Sequence, residues 1–240
     1  GRERDADAGS ADAGGGAPSG WAATSLRLAY RQPMSLDALL GFLRARAIPG
    51  VERAEGDGGY SAALRAPHGP VLVRIDPAPS RAAGDRARDR NAPAVSCRMT
   101  LRDVRDLAFA VGRVRALLDL DADPVEADLV LGADPLLADD VRGAPGLRSP
   151  GALDGFELAV RAIVGQQVSV TGARTVLGRI AAALGEPIAL CPSGSPCPSG
   201  AAGAASAPSP AGWLLFRTPE ALAAADADAF PLPAARVRTI

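Results

Sequence analysis

Apolar and polar residues alternate along four short stretches in the first hundred residues, which is typical of strands with one buried face. The alternation predicts strands around Leu26–Arg31, Tyr60–Leu64, Val71–Ile75 and Val95–Met99. Between the first two, apolar residues recur three and four positions apart, which predicts a helix that ends at Pro49-Gly50. Its apolar stripe is Leu36, Leu39, Leu40, Leu43 and Ala47. The turn residues Pro67–Pro70 indicate that the neighbouring strands are antiparallel.

Beyond residue 100 the apolar spacing becomes helical. Thr100-Leu-Arg-Asp103 has the form of a capping box, with Asp in place of Glu or Gln, and predicts that a helix begins there. Further helices are predicted around residues 124–131 and 135–141, on both sides of residue 165, and after Thr218, which suits an N-cap followed by Pro219. The final stretch, 234–240, predicts the opening of one more helix, with no stop signal before the last residue.

Two segments lack any apolar period. Residues 1–23 are rich in Ala, Gly and Asp and are predicted to be a flexible linker or tail, and the Ser/Pro/Gly/Ala-rich residues 190–212 a disordered insertion. The fold class predicted is α+β, with an antiparallel sheet domain over 24–100 followed by a helical domain over 101–240. Because the chain begins without Met and ends inside an element, we expect it to be a piece of a longer protein.

The most informative motif is the polar turn Gly165-Gln-Gln-Val-Ser169 between two apolar helices. Gly165 suits a helix stop, Ser169 suits an N-cap, and Gly185 closes the second helix. The turn therefore places two amide side chains beside a helix N-terminus, whose free N–H groups suit a phosphate. An ordinary helix–helix connection is the alternative interpretation, since short polar links are common between helices.

Composition excludes several kinds of chemistry. The net charge of −1 neither supports nor excludes a nucleic-acid partner, and all 26 basic residues are Arg. No metal site is expected, because Cys191 and Cys197 stand in a small local repeat far from His68 and a site needs about four ligands. Cys97 is predicted to be a core thiol and His68 a turn residue. Asp154 and Glu157 are interpreted as favourable charges in the first turn of a helix.

No signal peptide or membrane-spanning run is present, so a cytoplasmic protein is expected.

Four segments, in order, resemble DNA-3-methyladenine glycosylases of the AlkA type, within the helix-hairpin-helix glycosylase superfamily. They are Leu28–Pro33 with Leu40–Glu52, then Leu117–Pro124, Pro145–Val170 and Phe216–Asp226. The resemblance implies an N-terminal antiparallel sheet domain of TATA-binding-protein-like shape and an all-helical glycosylase domain, incomplete in this chain. It also implies a bacterial, nucleoid-associated monomer without a cofactor, whose partner is double-stranded DNA carrying alkylated bases.

The resemblance also implies site residues and a mechanism. The enzyme flips an alkylated nucleotide out of the duplex into an aromatic pocket, and a wedge side chain fills the gap. By motif match the wedge is Gln167, flanked by Gln166, Val168 and Ser169, and Phe42 lines the pocket. A core position on its helix stripe is the alternative for Phe42. The catalytic Asp and the phosphate-binding hairpin are expected beyond residue 240, so this chain alone is predicted not to excise bases.

Two other functions stay open at this stage. One is a non-catalytic protein that binds damaged DNA or regulates its repair on the same scaffold, with the tail at 1–23 suiting a fusion to an adaptive-response regulator. The other is a helical regulator that binds a small molecule or a partner and no DNA. The salt dependence of DNA binding separates this last class from the others, because phosphate contacts weaken as salt rises.

Overall fold

The computed structural model describes residues 20–77, 93–189, 212–226 and 230. Seven strands and seven α-helices lie in these ranges. The strands are β1 (Ala22–Ala29), β2 (Glu52–Ala54), β3 (Tyr60–Ala66), β4 (Gly69–Ile75), β5 (Ala94–Leu101), β6 (Glu186–Ile188) and β7 (Trp213–Leu215). The helices are α1 (Leu36–Arg46), α2 (Leu107–Leu117), α3 (Pro124–Gly132), α4 (Ala138–Gly143), α5 (Gly155–Gly165), α6 (Val170–Leu184) and α7 (Pro219–Ala223).

A five-stranded antiparallel sheet forms the first half of the molecule, with strand order β1-β5-β4-β3-β2. β3 and β4 make a hairpin in which Tyr60 pairs with Ile75 and Ala66 with Gly69. The predicted turn at Pro67–Pro70 therefore lies where the sequence indicated. The predicted α+β class is confirmed, because the five strands of the sheet lie within residues 22–101 and six of the seven helices follow residue 106.

Helices α1 and α2 contribute to the core on the sheet. The apolar stripe of α1, Leu39, Leu40 and Leu43, is buried together with residues of α2 and of four strands. The strand residues in this core follow the predicted alternation: Leu28, Tyr60, Ala62, Leu64, Val71, Val73, Ile75, Val95, Cys97, Met99 and Leu101. Burying each large side chain stabilises the fold by about 1.5–3 kcal/mol, which is why the period of the sequence predicts these elements well.

A second core lies where the end of α1 meets the helical half. It joins Ile48 and Val51, which follow α1, to apolar residues of α5, α6, β7 and α7. Those residues are Val160, Val164, Leu177, Ile180, Ala181, Leu214, Phe216 and Leu222, together with Phe230. The segment that leaves α1 is therefore shared between the sheet and the α5–α6 pair.

The capping box predicted at Thr100 is wrong. Thr100 lies inside β5, paired with Leu72 on one side and Ala23 on the other, and β5 continues to Leu101. Asp103 instead caps a 3-10 helix, Val104–Asp106, by accepting the N–H of Arg105, and α2 begins only at Leu107. Pairing with two neighbouring strands supplies backbone partners that a local Thr-x-x-Asp pattern does not reveal.

The remaining differences concern short elements and boundaries. β1 begins at Ala22, before the predicted start near Leu26, and the three-residue strands β2, β6 and β7 were not predicted. The predicted tail 1–23 and insertion 190–212 lie mostly outside the described residues, and the helix predicted over 234–240 lies wholly outside them. Among the helices described, none has the length and hydropathy needed to span a bilayer.

Candidate functional site

The Gln-Gln turn has the predicted helix–turn–helix form. α5 ends at Gly165, α6 begins at Val170, and Ser169 is the N-cap, with its Oγ accepting the N–H of Gly172 at 3.1 Å. Gln167 has a φ of +60°, a left-handed conformation that is uncommon outside glycine. The residues Gln166, Gln167, Val168 and Ser169 are all exposed. The turn thus presents a tight, solvent-facing tip between two packed helices.

Phe42 does not belong to the core. It is 40% exposed, whereas the α1 residues on either side of it in the stripe, Leu40 and Leu43, are buried. The Arg46 guanidinium lies over its ring, 3.7 Å from the centroid, as in a cation–π contact. The core alternative is therefore wrong for Phe42, which is partly exposed beside a positive charge.

Phe42 and the turn share one pocket of about 350 Å³. Its walls come from α1, from the loop before α5, from α5 itself, and from the start of α6. Val168 of the turn lines it together with Phe42, Leu117, Leu153, Leu158 and Leu177. Gln166 and Gln167 stand outside the lining. The structure therefore brings Phe42 and the turn to the same cavity, although their positions in the sequence are far apart.

Three residues of this pocket's lining, Glu52, Glu157 and Arg161, form a largely buried ionic cluster with Tyr60, which lies outside the lining; the cluster is called here the ionic wall. Arg161 Nη2 lies 2.7 Å from Glu52 Oε2, and the Arg161 Nε–H donates to Glu157 Oε1 at 3.0 Å. The Tyr60 hydroxyl donates to Glu52, which also accepts the backbone N–H of Ile48 at 2.7 Å. The strand β3, the helix α5 and the segment after α1 therefore all contact Glu52 of β2.

Burial and charge shift the pKa values within the ionic wall. Burial raises the pKa of Glu157 to about 6, against the opposing attraction of Arg161. Burial, followed by the negative charge of Glu52, raises the pKa of Tyr60 well above its ordinary value. Although burial disfavours its charge, the carboxylates of Glu157 and Glu52 hold the pKa of Arg161 above its ordinary range. In the ionic wall, the cost of burying charge outweighs the attraction to Arg161 for Glu157, whereas for Arg161 the attraction of the two carboxylates outweighs that cost.

The two carboxylates predicted at the start of α5 lie there, and each has a partner that the sequence interpretation did not name. Asp154 is the N-cap and accepts the N–H of Glu157 at 2.7 Å. Glu157 lies in the first turn, and its side chain, only 13% exposed, pairs with Arg161. The Glu157–Arg161 spacing of one helical turn was the available indication of this pair.

Other candidate residues lie away from this pocket. His68 lies in the β3–β4 turn as predicted, with Nδ1 2.7 Å from Asp106 Oδ1. Cys97 is buried in β5, as expected of a core thiol, whereas Cys191 and Cys197 lie outside the described residues. Within 20–77, 93–189 and 212–226, no three His, Cys, Asp or Glu side chains come together as a metal site would require.

Comparison with known proteins places the chain in a family. The model of the AlkA N-terminal domain matches residues 25–154, which is more than half of the chain. The chain belongs to the AlkA N-terminal domain family. That match includes most of β1, all of β2–β5, the whole of α1 with Phe42, and the loop that leads into α5.

Relatives of the AlkA type are similar over more of the chain. A Mycobacterium tuberculosis (strain CDC 1551 / Oshkosh) protein named "Probable bifunctional transcriptional activator/DNA repair enzyme AlkA" is 39% identical over 164 residues, 68% of this chain and 30% of its own length. The Escherichia coli K12 "DNA-3-methyladenine glycosylase 2" is 31% identical over 202 residues, 84% of this chain and 58% of its own length. The chain thus spans well under two thirds of either relative.

Solved structures support the same fold. A 3-methyladenine DNA-glycosylase from Archaeoglobus fulgidus superposes with a TM-score of 0.65 at 16% identity, covering 89% of this chain and 64% of that protein. A second structure, of MBOgg1 with a low-affinity DNA ligand, superposes with a TM-score of 0.51 at 17% identity, covering 90% of this chain and 57% of that protein. At these identities the likeness concerns the fold alone.

Proposed function

We propose that this chain is part of a base-excision repair glycosylase that flips alkylated bases of the 3-methyladenine type out of double-stranded DNA and hydrolyses their glycosidic bond. The observation that carries the proposal is the shared pocket, which brings the exposed Phe42 and the Gln-Gln turn together on an AlkA-family fold. The name of the Escherichia coli relative supports the substrate class.

Gln167 acts as the wedge in this proposal. It stands exposed at the tip of a turn whose two ends are fixed by packed helices. A flipped nucleotide leaves a gap in the duplex, and a side chain on a rigid tip can fill the gap without ordering a loop first. The Gln amide can also hydrogen-bond the base left without a partner. Gln166, Val168 and Ser169 support the tip, with Ser169 holding the first turn of α6.

Phe42 contributes one face of the base pocket. Alkylation makes purines cationic, and cationic rings are attracted to aromatic faces. The Arg46 guanidinium already occupies such a position over the Phe42 ring. Binding of a cationic base on that same face therefore requires the Arg46 side chain to move off the ring.

The carboxylate that stabilises the developing positive charge on the sugar comes, in this proposal, from an Asp outside residues 1–240. The two carboxylates of the described pocket, Glu52 and Glu157, are committed to Arg161. In this proposal the hydrolysis needs no cofactor.

The test is a Gln167→Ala variant of the complete protein. Loss of the wedge lowers the rate of 3-methyladenine release and the affinity for a duplex with an abasic-site analogue, because nothing holds the gap open. Gln167→Leu is the matched control, since Leu fills a similar volume and should keep most of the activity. Undiminished release and damaged-DNA affinity in Gln167→Ala, with the fold intact by circular dichroism, would show that the wedge assignment is wrong.

A second candidate is a protein that binds damaged DNA without excising bases, coupled to transcriptional regulation. It is favoured by one observation, the name of the Mycobacterium tuberculosis relative, which joins a transcriptional activator to a repair enzyme. The same assays separate the two functions. Tight binding to the abasic-site duplex without base release by the complete protein favours this second function.

A further inference from the structure

The carboxyl end of α1 is held by arginines from both helices of the α5–α6 pair. Helix ends leave backbone carbonyls without partners inside the helix. Arg161 of α5 donates from Nη1 to the carbonyl of Arg46 at 3.3 Å, and Arg174 of α6 donates from Nε to the carbonyl of Ala47 at 2.8 Å. We call these two side chains the arginine clamp.

The clamp joins the two parts of the candidate site. Arg161 stands about one helical turn before the Gln-Gln turn, and Arg174 about one turn after it. Both reach the residues that directly follow the turn of α1 carrying Phe42. The predicted wedge and the aromatic of the pocket are therefore connected by two charged hydrogen bonds placed on either side of the wedge.

Close packing supports this contact. α6 approaches the link after α1 so tightly that a Cβ on Gly178 would lie 3.0 Å from Cδ of Pro49. Positive side chains near a helix carboxyl end are also favoured by the helix dipole. The two arginines differ in burial, since the side chain of Arg161 is 20% exposed within the ionic wall whereas Arg174 is exposed.

We propose that Arg174, together with Arg161, is a positioning residue that fixes the distance between the Gln167 wedge and Phe42, so that filling the gap and receiving the flipped base occur in one rigid geometry. This inference rests on the proposed function. Displacements of about 1 Å far from the reacting atoms can cost about a hundredfold in rate, which is the reason to expect such a device. Arg174 is the residue to test, because an exposed side chain can be replaced without opening the core.

The experiment compares Arg174→Met, Arg174→Lys and wild type in the complete protein. Dissociation constants are measured for an abasic-site-analogue duplex and for an undamaged duplex of the same sequence, and their ratio gives the damage discrimination. Losing one charged hydrogen bond is expected to lower this ratio about tenfold in Arg174→Met. Arg174→Lys should recover part of it, since an ammonium also donates to a carbonyl. The midpoint of thermal unfolding reports stability separately.

Arg179→Met is the matched control. Arg179 is exposed on the same helix and, within the part of the chain that the structure describes, donates to no carbonyl of α1. The Arg179→Met substitution removes the same charge as Arg174→Met, so it measures any general loss of attraction to DNA. The control should weaken both duplexes equally, if at all, and leave the ratio unchanged.

Three outcomes overturn the inference. One is an Arg174→Met protein whose discrimination equals that of wild type. A second is an equal loss for both duplexes with a smaller salt slope, which identifies Arg174 as a phosphate contact. A third is a loss that follows the unfolding midpoint and is not relieved by Lys, which identifies a purely structural role. If the wild-type protein neither discriminates between the duplexes nor excises bases, the proposed function is wrong as well. If the wild type is active and Arg174→Met is unaffected, only the positioning role of the arginine clamp is wrong.

Discussion

Replacing Glu157 by Gln should make the protein more stable at neutral pH and no more stable at low pH. Glu157 is buried in the ionic wall, and burial raises its pKa from 4.5 to about 6. Gln has the shape of the protonated carboxyl group and cannot ionise. The variant therefore resembles wild type where Glu157 is protonated and differs from it where Glu157 is charged.

The sign follows from proton binding. Between pH 4.5 and about 6 the folded state keeps a proton that the unfolded state has released, so the free energy of unfolding falls as pH rises through this window. Each pKa unit corresponds to about 1.4 kcal/mol, so the destabilisation present above pH 6 amounts to about 2 kcal/mol. Glu157→Gln removes this loss, while Glu52 continues to pair with Arg161.

The assay is urea unfolding of both proteins at several pH values between about 4.5 and 7.5, across the range in which linkage is expected. The difference in the free energy of unfolding should grow by about 2 kcal/mol in favour of Gln over that range. Glu126→Gln is the matched control, because Glu126 occupies the same first-turn position in α3 but is exposed. A Gln variant that is less stable than wild type at neutral pH would refute the reasoning, since attraction to Arg161 would then outweigh the cost of burial.

Two further predictions concern the loop that leads into α5. Arg148→Met should lower the free energy of unfolding by about 3 kcal/mol in urea titrations, because it removes a buried guanidinium that donates to four partly buried carbonyls. Those carbonyls belong to Arg31, Pro33, Asp119 and Ala122. Gly146→Ala should lower the thermal midpoint, because Gly146 has a φ of +72° and a Cβ there would lie 2.5 Å from the carbonyl of Pro33. Gly143→Ala, where a Cβ meets nothing within 4 Å, should leave the midpoint nearly unchanged.

Long elements were predictable from the sequence because their period reflects burial. The α1 stripe and the β3–β4 hairpin bury most of the residues that the pattern selected, and the α5–α6 pair buries part of its selected face, including Val160, Leu177 and Ile180. Thr100 shows where this reasoning ends. A Thr three residues before an Asp suits a helix start by its local chemistry, but pairing with Leu72 and Ala23 decides the conformation. Those partners are distant in sequence, so no local window around Thr100 contains the deciding interaction.

The candidate site divides in the same way. Phe42 and the Gln-Gln turn were selected from short motifs, and their approach to one pocket follows from the packing of α1 against α6. The hydrogen bonds of Arg161 and Arg174 were not predictable from the sequence. Their acceptors are the main-chain carbonyls of Arg46 and Ala47, and every residue carries such a carbonyl whatever its side chain. A carbonyl becomes available as an acceptor only because the helix ends there. Short motifs therefore identify the residues proposed to contact DNA more readily than the residues proposed to position them, and the Arg174 variants test the positioning residues.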